Sequence, residues 1–284
     1  MKNSNQKGKV IIAGAGPGDP ELITYKTIRY LSIADIVLVD RLVSPQIIEQ
    51  FVNKNAQVIY VGKQVKKTHS TPQTVINDLL VYYALQGKLV VRLKGGDISI
   101  FSNILDELES LIKNAISYEL IPGITAASGA AAFAGIPLTG RGYSTAVRLL
   151  TYYKSEIIQD KYWKELATTD DTLVFYMSAE AADEIVTALL RCGITKEKHI
   201  AVIEQATTAF QQIHIAEITE YPFTIQGNRF ASPSILIIGK IVALHSQFSW
   251  FDSCKSKGNY FEPLNQFSSY QQLINTQSEH VTRT

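Results

Sequence analysis

The amino-acid sequence carries little net charge, few cysteines and no long apolar run. Its formal net charge of +1 argues against a nucleic-acid binder that works through bulk charge. Its two cysteines, Cys192 and Cys254, match no metal-ligand spacing, so we expect free thiols in a reducing compartment. No run approaches the roughly 18 apolar residues of a membrane span, and the apolar run near the N-terminus is shorter than the about 7–15 residues of a signal-peptide core. We therefore expect a soluble, cytoplasmic protein.

Short apolar runs are abundant, and they alternate with amphipathic segments of helical length. Hydrophobic residues make up 46% of the 284 residues, enough for one large domain or two of ordinary size. The alternation predicts a parallel α/β sheet in the first half of the chain and, after it, a second α/β unit for which a mixed sheet is left open. The first predicted strands are VIIA (10–13), DIVLVD (35–40), QVIYV (57–61) and LVVRL (89–93), and the first predicted helices lie near 20–32, 45–52, 72–86 and 102–114.

The segment TPQTVINDLLVYYALQG contains the clearest helix. Thr71 is predicted to cap it, Pro72 to occupy its first position and Gly87 to end it. A cluster of Pro, Gly and Ser at 135–146 interrupts the alternation, which then resumes. The predicted domains are an N-terminal α/β domain (8–136), a C-terminal α/β domain (145–251) and a loose polar tail (252–284).

The glycine-rich stretch GAGPGDPEL (14–22) follows the first strand but departs from the dinucleotide fingerprint. Its third glycine position holds Asp19, and Pro17 has no N–H to offer a phosphate. Asp19, Pro20 and Glu21 are predicted as the N-cap and first residues of a helix. Two carboxylates would then stand where a pyrophosphate should lie. We exclude NAD and FAD here and predict a nucleoside-like ligand without phosphate.

Glycines and charged residues follow each of the first four predicted strands, at the edge where open α/β sheets bind ligands. Any one loop could be only a turn, and Asp40 with Arg41 only a surface pair. Their convergence on one edge favours a ligand site. The residues are Gly14, Gly16, Pro17 and Gly18, then Asp40 and Arg41, then Gly62 and Lys63, then Lys94, Gly95, Gly96 and Asp97.

Seven motifs occur in a fixed order over residues 8–251. They are GAGPGDPELIT (14–24), VDRLVS (39–44), VGK (61–63), VVRLKGGD (90–97), IPGITAASGAAAFAGIPLTGR (121–141), LVFYM (173–177) and SPSILIIGKIV (232–242). Through them the sequence resembles the uroporphyrinogen-III C-methyltransferases of the tetrapyrrole methylase family, the class III methyltransferases that depend on S-adenosylmethionine.

The resemblance implies a tetrapyrrole methylase fold, with two α/β domains and a ligand cleft between them. It implies S-adenosyl-L-methionine as methyl donor, S-adenosyl-L-homocysteine as its product, and no metal. The implied reaction is C-methylation of uroporphyrinogen III at C2 and C7, giving precorrin-2 on the sirohaem and cobalamin route. A homodimer is implied, with no nucleic-acid or membrane partner.

The resemblance also implies roles for individual residues. Asp40 is the implied proton acceptor and Lys63 the implied proton donor. We expect Arg41 and Arg141 to pair with substrate carboxylates, because guanidinium matches carboxylate geometry, although either could be a surface charge. The implied cofactor-binding residues are Pro17, Gly95, Gly96, Asp97, Ile100, Thr125, Ala126, Met177 and Ala206.

The sequence departs from the family at two places. Residues 98–107 read ISIFSNILDE, where the family usually has Pro-Phe and then a glycine-rich run with an arginine. Gly140 stands where the family commonly has His. These departures leave two alternatives open. One is a relative that methylates a later precorrin, and the other is a cofactor- or tetrapyrrole-binding protein without catalysis.

Overall fold

The computed structural model describes residues 7–62, 71–152, 159–253 and 258–261, and these form two compact units. The first comprises the described residues up to Ile124 together with Phe261, and the second comprises those of Thr125–Tyr260. Each unit contains one five-stranded sheet. The division between the units thus falls before the small-residue helix that begins at Ala126. The domain limits drawn from the sequence stay predictions.

Five parallel strands form the sheet of the first unit. They are β1 (Lys9–Gly14), β2 (Ile36–Val39), β3 (Gln57–Tyr60), β4 (Leu89–Lys94) and β5 (Ser117–Ile121), in the order β3-β2-β4-β1-β5. The three inner strands, β2, β4 and β1, are buried along almost their whole length, as strands covered on both faces must be. The four parallel strands predicted from the sequence are confirmed.

Four helices cover the two faces of this sheet: α1 (Tyr25–Leu31), α2 (Pro45–Phe51), α3 (Gln73–Leu85) and α4 (Leu105–Lys113). Alternate residues of β1 point to opposite faces. Ile12 belongs to the apolar cluster that includes Leu80 of α3, whereas Ile11 belongs to the one that includes Leu31 of α1. The sheet therefore has a core on both sides, and its strand ends are left for loops.

One predicted helix is divided in two, although its predicted N-cap, Asp19, is confirmed, and one predicted helix start is wrong. The helix predicted near 20–32 is a short 3-10 turn at Pro20–Leu22, which Asp19 caps, followed by α1, which Thr24 caps. α3 begins at Gln73 without a side-chain cap, and Pro72 is its N-cap residue. Thr71 is buried and precedes a proline, which favours extended backbone over a capping turn.

The second unit has a mixed sheet. Its strands are β6 (Val147–Thr151), β7 (Thr172–Tyr176), β8 (His199–Glu204), β9 (Gln212–Glu217) and β10 (Ser234–Gly239), in the order β6-β7-β10-β8-β9. β6 and β7 are parallel, while β10 is antiparallel to both β7 and β8. β7 and β8 therefore run in the same direction, and their carboxyl ends lie at one edge.

The helices of the second unit are α5 (Ala126–Phe133), α6 (Asp160–Thr168), α7 (Ala182–Arg191), α8 (Tyr221–Thr224) and α9 (His245–Phe248). Phe175 of β7, Leu236 of β10 and Ile185 of α7 are fully buried in the core of this unit. Across the described ranges, every helix is too short or too polar to cross a membrane.

Candidate active site

Three glycine-containing loops meet at the carboxyl edge of the first sheet, after β1, β4 and β5. Gly96 N–H donates to the Gly16 carbonyl over 2.7 Å, and Gly16 N–H donates back over 3.2 Å. A Cβ built on Gly14 would lie 2.6 Å from the Gly96 carbonyl oxygen, and one on Gly123 would lie 2.3 Å from it. Only glycine allows backbones to approach so closely. These glycines therefore have a packing function at the predicted ligand edge.

The loop after β2 joins the same edge. A Cβ on Gly95 would lie 2.8 Å from the Leu42 carbonyl oxygen, so the β2 and β4 loops are also in backbone contact. The structure therefore brings together the sites predicted after β1, β2 and β4. Pro17 and Ile100, from the first and third of these loops, are half-buried at this edge. Lys63, the predicted proton donor after β3, lies outside the described residues.

Asp97 ties two of these loops together. Its Oδ1 accepts from the backbone N–H of Ser99 over 2.8 Å and from the Ser99 hydroxyl, and its Oδ2 accepts from Gly123 N–H over 2.8 Å. Burial by itself raises the pKa of Asp97, but these hydrogen bonds outweigh it and hold the pKa below its usual range. The ionised carboxylate thus fixes the turn after β4.

Asp40, the predicted proton acceptor, belongs to a network of four charged side chains. Its Oδ1 lies 2.5 Å from Nη2 of Arg92, a residue only 2% exposed. Oε1 of Glu107, which is fully buried, lies 3.1 Å from both Arg92 Nε and Lys94 Nζ. Two cations thus face two carboxylates, and the network is formally neutral, as burial requires.

The charges of this network alter the pKa values of its cations in opposite directions. Burial lowers the pKa of Arg92, but the carboxylates of Asp40 and Glu107 together raise it above its ordinary value. Burial and the neighbouring Arg92 lower the pKa of Lys94 despite its carboxylate partners. Arg92 is therefore a permanent cation whose guanidinium holds one carboxylate oxygen of Asp40 in place.

Backbone periodicity explains why these side chains meet. Arg92 and Lys94 are two residues apart on β4 and so point to the same face of the sheet. Asp40 follows the neighbouring strand β2, whose Leu38 pairs with Arg92 in the register. Glu107 lies in the first turn of α4, which covers that face. The network is thus held by three separate elements of the first unit.

Arg41, predicted to bind substrate, is half-buried beside this network. Burial lowers the pKa of its guanidinium, and the charge of Asp40 opposes that shift. No salt bridge joins Arg41 to any residue that the structure describes. Its role in binding substrate stays a prediction.

In the second unit, the end of β7 is joined to the start of α5. Thr125 is the N-cap residue of α5, and its Oγ1 lies 2.5 Å from the Tyr176 hydroxyl. That hydroxyl also accepts from Ala127 N–H over 3.0 Å. Ala126, between them, is half-buried. The structure thus brings Thr125 and Ala126 to the edge at which β7 ends.

Met177 follows Tyr176 with a left-handed backbone, at φ +53°, and its side chain is exposed (56%). Ser178 anchors this turn, because its hydroxyl donates to the Tyr176 carbonyl over 2.6 Å and accepts from Tyr152 N–H over 2.9 Å. A left-handed conformation costs a residue other than glycine about 1–3 kcal/mol, and such strain clusters at functional sites. The turn therefore holds an exposed thioether at the edge of the sheet.

The loop after β8 shows the same strain at the same edge. Gln205 has φ +45° and Thr207 has φ +67°, and Ala206 lies half-buried between them. The second unit thus gathers four predicted cofactor residues at one edge: Thr125, Ala126, Met177 and Ala206.

Arg141 lies elsewhere in the second unit. It is exposed in a turn in which Gly140 N–H donates to the Ser144 carbonyl over 2.9 Å. Ser144 Oγ in turn accepts from the backbone N–H of Thr172, the first residue of β7, over 3.0 Å. The turn with Arg141 is thus at the opposite end of β7 from Met177. Its substrate-binding role stays a prediction.

Comparison with known proteins shows the family to which the chain belongs. Residues 9–222 match the family described as Tetrapyrrole (Corrin/Porphyrin) Methylases. The chain belongs to the tetrapyrrole methylases. The resemblance inferred from the seven motifs is thereby confirmed. Within the described part of the chain, no group of three or more His, Cys, Asp or Glu side chains could hold a metal ion.

Curated relatives of this methylase are named siroheme synthase. The chain is 40% identical to the one from Ruthia magnifica subsp. Calyptogena magnifica, in an alignment of 257 residues that covers 90% of this chain. It is 39% identical over 271 residues to the one from Thioalkalivibrio sulfidiphilus, which covers 95% of this chain. The chain spans only about half the length of these relatives, 54% in both cases.

Solved structures share the fold. Uroporphyrin-III-C-methyltransferase from Thermus thermophilus is 30% identical, with a TM-score of 0.71, over 87% of this chain and 99% of that one. The Thermus enzyme complexed with S-adenyl homocysteine is 29% identical, with a TM-score of 0.68. The match covers 84% of this chain and 94% of that one. The predicted tetrapyrrole methylase fold is confirmed.

Sequence reasoning missed two members of the charged network, Arg92 and Glu107. A signal for the first was present, because Arg92 interrupts the apolar run LVVRLK of a predicted buried strand. A charge in such a strand needs a buried partner. Glu107 carried no such signal, since it stands in a helix with other acidic residues, Asp106 and Glu109, that are exposed.

Proposed function

We propose that this chain transfers methyl groups from S-adenosylmethionine to C2 and C7 of uroporphyrinogen III, giving precorrin-2 on the sirohaem or cobalamin route. The observation that carries the proposal is the carboxylate of Asp40, held by the buried Arg92 at an edge lined with glycine loops. The likeness to the Thermus enzyme, over almost all of that chain, supports the substrate. Assembly as a homodimer belongs to the same proposal.

The residues present fit a cofactor that carries no phosphate. Pro17 has no N–H, and the Glu21 N–H that a phosphate could use is bound to the carboxylate of Asp19 over 2.9 Å. The loops offer instead backbone groups, small residues and the exposed thioether of Met177, which suit an adenosine and a sulfonium. We assign the contacts to Pro17, Gly95, Gly96, Asp97, Ile100, Thr125, Ala126, Met177 and Ala206.

The chemistry needs positioning more than activation. The cofactor supplies an electrophilic methyl group, and the reduced pyrrole carbon is already electron-rich enough to attack it. A C–C bond forms, the sulfur leaves with the electron pair of its methyl bond, and the ring becomes cationic until it loses a proton. Well-oriented reactants gain up to roughly 7–11 kcal/mol from positioning. A fixed carboxylate beside the ring stabilises the cation and accepts the proton.

Asp40 is suited to that role. Arg92 holds its Oδ1, whereas no described residue donates a hydrogen bond to its Oδ2, and its side chain is 26% exposed. One oxygen is thus anchored while the other can face a substrate. We assign proton donation to Lys63, and pairing with substrate carboxylates to Arg41 and Arg141.

The test is anaerobic incubation with freshly reduced uroporphyrinogen III and S-adenosylmethionine, followed by mass spectrometry. We expect two added methyl groups. Asp40→Ala is expected to abolish turnover while the cofactor still binds. Asp35→Asn is a control at the other end of the same strand, and it should leave turnover intact.

Two results of this experiment would contradict the proposal or part of it. No methyl transfer with intact cofactor binding would support a binding protein, or a methylase of a later precorrin, and would contradict the proposal. Full turnover by Asp40→Ala would remove the role assigned to Asp40.

A further inference from the structure

Gln205 precedes Ala206 in the loop after β8, and its side chain is buried. Only 2% of it is exposed. Its backbone N–H donates to the Pro233 carbonyl over 2.7 Å, and its carbonyl accepts from the Thr208 hydroxyl over 2.8 Å. A buried amide side chain needs partners for both its donor and its acceptor. A distant part of the chain supplies them.

Residues 258–260 are those partners. Gln205 Nε2 donates to the Gly258 carbonyl over 2.9 Å, and Oε1 accepts from Tyr260 N–H over 2.7 Å. The segment also lies against Phe210, whose ring centroid is 6.3 Å from that of Tyr260. A Cβ on Gly258 would come within 2.6 Å of Phe210 Cε1. The segment is thus closely packed on the loop.

The other side of the loop is held by α5. Thr207 N–H donates to Gln211 Oε1 over 2.8 Å, and Gln211 Nε2 donates to the Phe133 carbonyl at the end of α5 over 3.3 Å. Gln211 is 1% exposed. Two buried glutamines therefore fix the strained backbone on either side of Ala206, one to a helix and one to residues 258–260.

We infer that residues 258–260 are a positioning element of the cofactor site, acting through Gln205 on the loop that carries Ala206. The inference rests on the proposed function, in which Ala206 contacts S-adenosylmethionine. The match to the methylase family model ends at residue 222, so that model does not include this segment. A loop that is ordered before binding loses less conformational freedom when the ligand arrives, and affinity rises accordingly.

A pair of substitutions at Tyr260 tests the hydrogen bond, and because proline also fixes φ at residue 260, Gln205→Leu provides a second test that leaves the backbone unchanged. Tyr260→Pro removes the N–H that Gln205 accepts from, whereas Tyr260→Ala keeps it, and both remove the ring. Calorimetric titration with S-adenosylhomocysteine should give a Kd about tenfold higher for Tyr260→Pro than for Tyr260→Ala, or ~1.4 kcal/mol. Gln205→Leu should weaken binding to a similar degree. For Tyr260→Pro and Gln205→Leu, KM for S-adenosylmethionine should rise while kcat stays within about twofold. That pattern is expected when a variant loses binding energy that the ground state and the transition state share.

The outcomes separate this inference from the proposed function. Equal Kd values for the two Tyr260 variants, with Gln205→Leu unchanged, would overturn the inference alone. A loss of affinity shared by Tyr260→Ala and matched by a lower melting temperature would also overturn it, because it indicates general destabilisation. An unaltered chain that binds no S-adenosylhomocysteine would overturn the proposed function and, with it, the inference.

Discussion

Neutralising Glu107 tests whether the charged network holds the first unit together. Glu107→Gln keeps the shape of the side chain and one acceptor oxygen, so the main change is the lost charge. Lys94 and Arg92, which are 5% and 2% exposed, then share Asp40 as their remaining described carboxylate. Removing one partner of a buried pair costs about 3–5 kcal/mol. We expect about 3 kcal/mol here, because the amide still accepts a hydrogen bond.

The assay is urea unfolding of the full chain, with Glu109→Gln as the matched control. Glu109 lies on the same helix but is exposed, so its loss should stay within about 0.5 kcal/mol. A loss of about 3 kcal/mol would lower the melting temperature by roughly 6–12 °C. In a double-mutant cycle, Lys94→Met should cost less in the Glu107→Gln background than alone. Equal, small losses for Glu107→Gln and Glu109→Gln would refute the reasoning.

Two further predictions concern a strained turn and a surface cluster. Met177→Gly relieves a left-handed backbone, so it should leave the free energy of unfolding unchanged or raise it by up to about 1 kcal/mol, while it weakens S-adenosylhomocysteine binding. Met177→Ala should weaken binding without the gain in stability. Unchanged binding in both variants would contradict the assigned contact. Hydrogen bonds from Lys26, Lys9 and Tyr30 lower the pKa of Glu119 from 4.5 to about 2, so its stabilisation is present above pH 4.5 and is lost as pH falls towards 2. Glu119→Gln should therefore flatten the acid limb of the stability profile measured by unfolding at each pH, and an unchanged limb would count against this account.

The sequence by itself determined four of the five strands of the first unit and the edge at which its site lies. Runs such as VIIA and LVVRL are short, apolar and rich in β-branched residues, as buried strands are, and each is followed by glycines or charges. The end of α3 could also be predicted from neighbouring residues, because Gly87, at φ +78°, adopts the left-handed conformation that ends a helix. The order of the motifs sufficed to identify the family.

The length of the first predicted helix could not be predicted from neighbouring residues in this way. Asp19 followed by a proline is a good helix start, yet the turn that it caps ends at Leu22, and α1 starts afresh after Thr24. In the second unit, the mixed sheet depends on β10 inserting between β7 and β8. Apolar runs of similar composition do not record which strand they pair with or in which direction.

The tertiary structure alone decided what surrounds the predicted acid. Asp40 and Arg92 are 52 residues apart, and Arg92 and Glu107 are 15 apart, on three elements that only folding brings together. Gln205 and Tyr260 are similarly distant, at 55 residues. Hydrophobic patterns place a side chain inside or outside, because burial follows from the period of a strand or helix. Which buried charge meets which depends on the packing of whole elements, and a sequence of local signals does not contain it.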